Sequence, residues 1–272
     1  MEAANNLGEF TQNLMNTVYK LFCLLFIPIA AHALYFGNPS APDMIEEGFF
    51  FCSENWGSIK LGYEGDYCFD RKLRSKDGVE GRIDKFSYLM NQGVVTFNIL
   101  DLMEIYGSVG AMNAFISHRP EPNHEQREYQ TSDRLTWGGG TKIELFHWGA
   151  TTVSADGKYQ YSHPHVKWNS LNGVAYTTGA KLTYREYQAG MGLSHRIDMF
   201  VPYVAVYYSH VKGKLYGIRQ NILPVSHFSL QCREWIGMAV GCGFSSSCLF
   251  DLNIEARMFN QSAVSVSANI KF

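Results

Sequence analysis

Apolar length is what this 272-residue chain most lacks. Past one run near its start, no stretch approaches the roughly 20 consecutive apolar residues that a membrane-spanning helix needs. It also lacks a basic excess: 23 Lys and Arg stand against 25 Asp and Glu, a net charge of −2, so nothing in the charge balance recruits nucleic acid. No Pro/Ser-rich or low-complexity tract offers a linker, and the length fits one domain. The six cysteines include no Cys-x-x-Cys spacing, which removes the common zinc signature.

What the chain does have is aromatic side chains (18 Phe, 16 Tyr, 5 Trp), 25 Gly, and alternation of apolar and polar residues along most of its length. The last ten residues show it well. Val264, Val266, Ala268, Ile270 and Phe272 fall on one strand face, and Ser265, Ser267, Asn269 and Lys271 on the other. A closing strand that ends on an aromatic carboxyl residue is how bacterial outer-membrane barrels usually finish, which makes Phe272 the expected assembly signal. Such a chain should also carry an export signal. Leu21–Ala31 is an apolar run preceded by Lys20 and followed by the small-x-small pattern Ala31-His-Ala33, so the expectation is a signal peptide over 1–33, cut between Ala33 and Leu34. A structural N-terminal helix is the alternative. Two Glu and one Lys leave with the leader, which moves the net charge from −2 to −1. Cys23 leaves too, and the five remaining cysteines, an odd number, permit disulfides without specifying a pairing.

Ten strands can be followed after that. From Ser58 to Arg71, Ile59, Leu61, Tyr63, Tyr67 and Phe69 share a face opposite Lys60, Glu64, Asp66 and Asp70. Later strands put Leu135, Trp137, Tyr159, Tyr187, Met191, Val204, Leu252 and Ile254 on one face, and Arg134, Lys142, Glu144, Asp156, Lys158, Glu186, Asp251, Asn253, Glu255 and Arg257 on the other. Charges on the second face cannot meet lipid, so they are the expected lumen lining. Leu252 is the expected lipid-facing residue near the bilayer midplane. Long connections at 71–84, 117–130, 162–179 and 212–231 alternate with short turns, and the 117–130 segment, with two prolines and several charges, reads as a solvated excursion. A β-sandwich would alternate as well, but its inward face would be the apolar one. The fold class expected is therefore an all-β transmembrane antiparallel barrel over 58–272, with a periplasmic N-terminal segment over 34–57 leading into it.

Particular stretches then resemble a known family. Leu61-Gly-Tyr-Glu-Gly-Asp-Tyr-Cys-Phe-Asp-Arg71 after Gly37-Asn-Pro39, Trp148 to Tyr161, Tyr184-Arg-Glu-Tyr-Gln-Ala-Gly-Met-Gly-Leu-Ser-His-Arg-Ile-Asp-Met-Phe-Val-Pro-Tyr203, and Trp235-Ile-Gly-Met-Ala-Val-Gly241 are similar to the chlamydial major outer membrane proteins. The resemblance implies an outer-membrane porin that passes small solutes or ions, with outer-membrane lipid and the barrel-assembly machinery as partners. Homo-oligomers and disulfide-linked envelope proteins are further partners it brings into view. Family barrels have about sixteen strands and many cysteines; this chain is shorter and poorer in cysteine. A barrel of about eight strands is filled by side chains and one of about sixteen holds a channel, so ten strands stand nearer the closed end. A small non-conducting structural or surface-binding barrel is accordingly the alternative, with the mixed charges either holding lumen water and ions or pairing across it.

Other chemistry finds little support. His163-Pro-His165 has metal-compatible spacing but no evident third ligand. Ser194-His195 and Ser209-His210 are neighbours whose side chains leave opposite strand faces, so neither pair makes a catalytic dyad alone. No cofactor is implied. N-terminal sequencing of the protein recovered from outer membranes is expected to begin at Leu34-Tyr35; a mature chain that retains Phe22 to Ile29 would make that segment structural.

Overall fold

The computed structural model describes residues 35–45, 56–76, 81–120, 125–176, 179–218, 227–245 and 250–272. The expected leader, its cleavage point at Ala33 and Leu34, Cys52 and Cys248 lie outside the described residues. Among those described, fifteen strands follow one another: β1 (Gly57–Arg71), β2 (Leu73–Lys76), β3 (Gly81–Ile99), β4 (Met103–Pro120), β5 (Arg127–Thr131), β6 (Arg134–Trp148), β7 (Thr151–Ser162), β8 (Val166–Leu171), β9 (Val174–Tyr176), β10 (Lys181–His195), β11 (Phe200–Tyr216), β12 (His227–Cys232), β13 (Ile236–Ser245), β14 (Phe250–Met258) and β15 (Gln261–Lys271).

Ten of them close on themselves. The order β1-β3-β4-β6-β7-β10-β11-β13-β14-β15 returns to β1 through a ladder that runs from Lys60 opposite Lys271 to Arg71 opposite Gln261, every pair antiparallel. Closure satisfies each strand's backbone groups within the sheet and leaves no edge, which hydrocarbon requires. The expected ten-stranded transmembrane barrel is the fold observed. The other five strands extend its wall at the end carrying the long connections: β12 and β2 continue from β11, and β5, β8 and β9 from β4. Where described, the 117–130 segment is thus not a solvated excursion, and the 212–231 connection is strand at both of its ends. β4 continues to Pro120, β11 continues to Tyr216, and Tyr129 and Phe228 are buried. Asn172-Gly173, both at positive φ, form the two-residue turn between β8 and β9, the backbone that an Asn-Gly pair favours.

The outer face is apolar and bounded by aromatic rings. Phe200 meets Phe244 with ring centroids 5.1 Å apart at the tight-turn end, joined there by Trp56 and Phe97 at 6.0 Å. Towards the loop end, Trp137, Tyr159 and Tyr187 form a chain of ring contacts at 5.7 and 4.8 Å, and Tyr208 meets Trp235 at 6.1 Å. On β11, Phe200 and Tyr208 are separated by about 27 Å of strand at about 3.4 Å per residue. With a tilt of about 40° this is roughly 20 Å along the barrel axis, comparable to the ~25 Å apolar band of outer-membrane barrels.

This belt corrects the depth expected of Leu252, which lies opposite Phe244, itself opposite Phe200, so it sits at the turn-end girdle. The middle of the band is the row Val204, Val240 and Ala256. Refolding titrations into vesicles are expected to show Val204→Arg destabilising by about 2–4 kcal/mol and Leu252→Arg by about 0–1 kcal/mol, because the penalty for a charge on the lipid face falls towards the interfaces. Equal losses would misplace the belt.

Candidate functional site

Inside the wall the alternation delivers Lys60, Glu64 and Asp66 from β1, Lys142 and Glu144 from β6, and Asp156 and Lys158 from β7. Glu186 comes from β10, and Asp251, Asn253, Glu255 and Arg257 from β14; except at the margins these side chains are buried. Two expected members are not among them. A bulge in β1 shifts the register between Cys68, opposite Ala263, and Asp70, opposite exposed Ser262. One inserted residue inverts the faces beyond it, so Asp70 turns out of the interior and Arg71 turns in. Arg134 starts β6 at the loop-end rim and is exposed.

The turn-end half of the interior is filled by the chain's own residues 35–45. The segment expected to lead into the barrel from outside lies within it instead. Its backbone is held from every side. Lys60 Nζ donates to the Ala41 carbonyl at 2.5 Å, Lys142 Nζ to those of Phe36 and Asn38 at 3.0 Å, and Lys271 Nζ to that of Ile45 at 2.6 Å. Asn98 reaches the Pro42 carbonyl at 2.8 Å, Arg196 that of Asp43 at 2.9 Å, and Ser245 that of Met44. Glu255 takes the Phe36 and Gly37 N–H groups at 2.8 and 3.0 Å, together with the Tyr203 hydroxyl at 2.9 Å. Pro42 lies in the first turn of a short 3-10 element, Ala41–Asp43, within this passage.

Wall glycines make the room. A β-carbon on Gly192 would lie 2.7 Å from Pro39 and 2.8 Å from Phe36, and one on Gly243 would lie 2.5 Å from the Asn38 amide. Gly37, at φ +83°, adopts a backbone few other residues tolerate and lies under Lys142. Between segment and wall remains a cavity of about 60 Å³, bordered by Tyr35, Glu64, Glu104, Tyr106, Asp156 and Lys158, the volume of about two liquid waters.

Above this lies a band of buried ion pairs. Arg257 meets Asp66 at 2.6 Å and Glu255 at 3.4 Å, and Arg71 meets Glu186 at 2.8 Å, all with side chains fully buried, and the Ser265 hydroxyl, buried as well, donates to Asp66 at 2.7 Å. The loop-end half is then apolar. Phe86, Tyr88, Met90, Met112, Ile116, Tyr129, Tyr184, Phe228 and Leu230 pack into one buried cluster, with Phe86 stacked on Tyr184 at 5.7 Å. The sequence reading missed this core, Arg71 and Glu104, and left Lys271 out of the lining although it had placed it on the polar face; Lys60 pairs with Glu104 at 2.7 Å and Lys271 with Asp101 at 3.1 Å. The signal for the core was available, since Phe86, Tyr88 and Met90 occupy the same strand face that carries Gln92, Thr96 and Asn98 further along β3.

The histidine and serine candidates do not assemble into chemistry. His163 Nδ1 faces the Thr183 hydroxyl at 3.1 Å and Nε2 the Tyr216 hydroxyl at 2.7 Å, with its ring 6.1 Å from that of His165. Partial burial, then His165 and Lys181, push His163 below the ordinary imidazole range. Ser209 points inward and donates to Glu186 at 2.6 Å, while its neighbour His210 leaves the other face. Among the described cysteines, Cys68, Cys232 and Cys242 are free thiols.

A closed antiparallel sheet with an apolar, ring-bounded exterior and charges turned inward is an outer-membrane β-barrel, and its location is the outer membrane. The family model described as Chlamydia major outer membrane protein matches residues 169–222. The Major outer membrane porin of Chlamydia pneumoniae is 22% identical over 88% of this chain and 94% of its own length. Those of Chlamydia abortus (strain DSM 27085 / S26/3) and of Chlamydia trachomatis serovar L1 are each 20% identical, over 93% of this chain and 98% of theirs. Among solved structures, the transport unit of the autotransporter AIDA-I from Escherichia coli aligns with 86% of this chain and 95% of its own at 12% identity, TM-score 0.38. At this low identity, over most of its length, the chain is similar to the chlamydial major outer membrane porins.

Glu255 joins the inner segment to the ion-pair band, so Glu255→Ala removes the acceptor for two buried N–H groups and a hydroxyl and strips Arg257 of a partner. The expected loss is about 3 kcal/mol in unfolding, with chymotrypsin gaining access to Phe36 in the otherwise folded barrel. Lost stability without new cleavage would confine Glu255 to the ion pair.

Proposed function

We propose that the chain is a porin-like outer-membrane barrel in which residues 35–45 occupy the path of passive diffusion, so that small ions and solutes pass when this segment is displaced. The observation that carries the reading is how the segment is held: mostly by polar groups of the wall, with three lysine ammonium groups on its main-chain carbonyls, and with only a small apolar cluster around Phe36. Behind it the lining is charged on both signs, with Glu64, Asp156 and Asp251 beside Lys142 and Lys158, which favours hydrated ions over apolar solutes. The porin relatives agree with a role in passage rather than catalysis. A second reading, a structural barrel that does not conduct, is favoured by the apolar cluster across the loop-end half.

Reconstitution into planar bilayers separates the two. The native chain is expected to stay closed for most of the recording, with rare small steps. Lys60→Gln/Lys142→Gln/Lys271→Gln, which replaces the charged anchors with neutral donors, should raise the open fraction about tenfold or more. A triple variant that folds and remains as silent as its parent supports the structural reading and overturns the diffusion path.

A further inference from the structure

The outer wall carries one group of charges that the interior does not explain. Just past the loop-side aromatic girdle, two successive rows run across four adjacent strands on the exterior face. The first row is Arg185, Lys212, Gln231 and Arg74, each directly opposite the next across β10, β11, β12 and β2. The second, one outward step along the same strands, is Thr183, Lys214, Ser229 and Lys76. Arg74, Lys76, Arg185, Lys212 and Lys214 are all exposed, and among the described residues none of the five forms an ion pair. Lys76, Arg185, Lys212 and Lys214 border a shallow depression of about 420 Å³ that Gly213 and Leu230 also line.

Like charges directly opposite on neighbouring strands repel, and Arg185 opposite Lys212 is such a pair. Five cations within two strand rows, roughly 15 Å by 7 Å at sheet spacings, form a locus that an anion would relieve. Its height on the barrel says which. Tyr187, one outward step down β10 from Arg185, belongs to the aromatic girdle, and the Arg185 guanidinium lies 5.5 Å from the Tyr161 ring centroid. From Tyr208 in the same girdle, Lys212 is about 14 Å up the strand, roughly 10 Å along the membrane normal, which is headgroup depth. The hydroxyls of Thr183 and Ser229 and the amide of Gln231 supply further donors on the same face.

We propose that this patch binds the phosphate groups of an outer-leaflet lipid, a glycolipid headgroup carrying more than one phosphate, which lies against β10, β11, β12 and β2 with its acyl chains on the apolar belt below. The site rests on the outer-membrane reading and is independent of whether the lumen conducts.

The test uses the full chain folded in neutral detergent micelles and bis-phosphorylated lipid A as probe, with bound lipid counted by native mass spectrometry. The parent is expected to retain the probe, and Lys212→Gln/Lys214→Gln to weaken retention about tenfold or more, since each cation near an anionic lipid surface contributes appreciably. The neutral pair Lys85→Gln/Lys167→Gln, elsewhere on the exterior, should bind as the parent does. Lipid A stripped of phosphate should bind neither. Should the β11 pair fail to fold, Arg74→Gln/Lys76→Gln on the outermost strand removes two cations from the same rows and should weaken retention to a similar extent. Undiminished binding in a folded variant, or displacement of the lipid by an equal concentration of inorganic phosphate, overturns the site. Parallel insertion into vesicles keeps the failures apart: a parent that does not insert overturns the membrane reading and this site with it, whereas one that inserts yet binds lipid A without phosphate dependence overturns the site alone.

Discussion

The ladder between β1 and β15 is the contact on which the rest of this molecule depends. It joins the first and last strands of the ten, through residues that begin with Lys60 opposite Lys271 and end with Arg71 opposite Gln261. Without it the sheet would expose two edges whose backbone groups hydrocarbon cannot satisfy. With it, strand alternation acquires a definite meaning: one set of faces meets lipid, the other an enclosed space. The Phe272 amide extends the closure by donating to the Ile59 carbonyl at 2.8 Å, so the last residue is bonded to the first barrel strand.

The enclosed space has to accommodate charge at low dielectric, and it does so in two ways. In its middle band, ions face ions, as with Arg257 between Asp66 and Glu255 and Arg71 against Glu186. Truncating one member of such a pair would leave the other buried and uncompensated, which costs far more than the intact pair contributes. In the turn-end half, lysines face backbone carbonyls as well: Lys60, Lys142 and Lys271 each reach oxygens of the inner segment, Lys60 while paired with Glu104 and Lys271 with Asp101. The loop-end half avoids the problem by being apolar, and the accessory strands β2, β5, β8, β9 and β12 build up the wall around that end.

Legibility followed from how local each signal was. The faces of β14 could be read without error because nine residues alternate with no interruption: Asp251, Asn253, Glu255 and Arg257 lie inside, Leu252 and Ile254 outside. Asp70 was misread because a bulge leaves no mark in the residue pattern, and one extra residue reverses everything after it. Arg134 has inward parity but stands at a rim, and parity says nothing about depth. The 117–130 connection looked solvated because prolines and charges crowd it, and 162–179 was read as a connection without strands although Asn172-Gly173 marked a hairpin inside it. Residues 35–45 carried no periodicity, so nothing local distinguished a segment inside the barrel from one outside.

The sequence alone determined that strands would form, which face of each would meet lipid wherever the alternation ran without a bulge, that ten would close, and which family the chain resembles. These depend on the two-residue period of side chains, on turn chemistry and on quoted motifs, all properties of short stretches. Only the tertiary structure decided that the lumen is filled, by the chain's own backbone at one end and an apolar cluster at the other. It alone placed Arg71 against Glu186, and it alone aligned five cations from three strands into two rows on the outer wall. Those outcomes depend on register between strands far apart in the chain, as with Arg74 and Lys212, and register is a property of the closed sheet rather than of any strand within it.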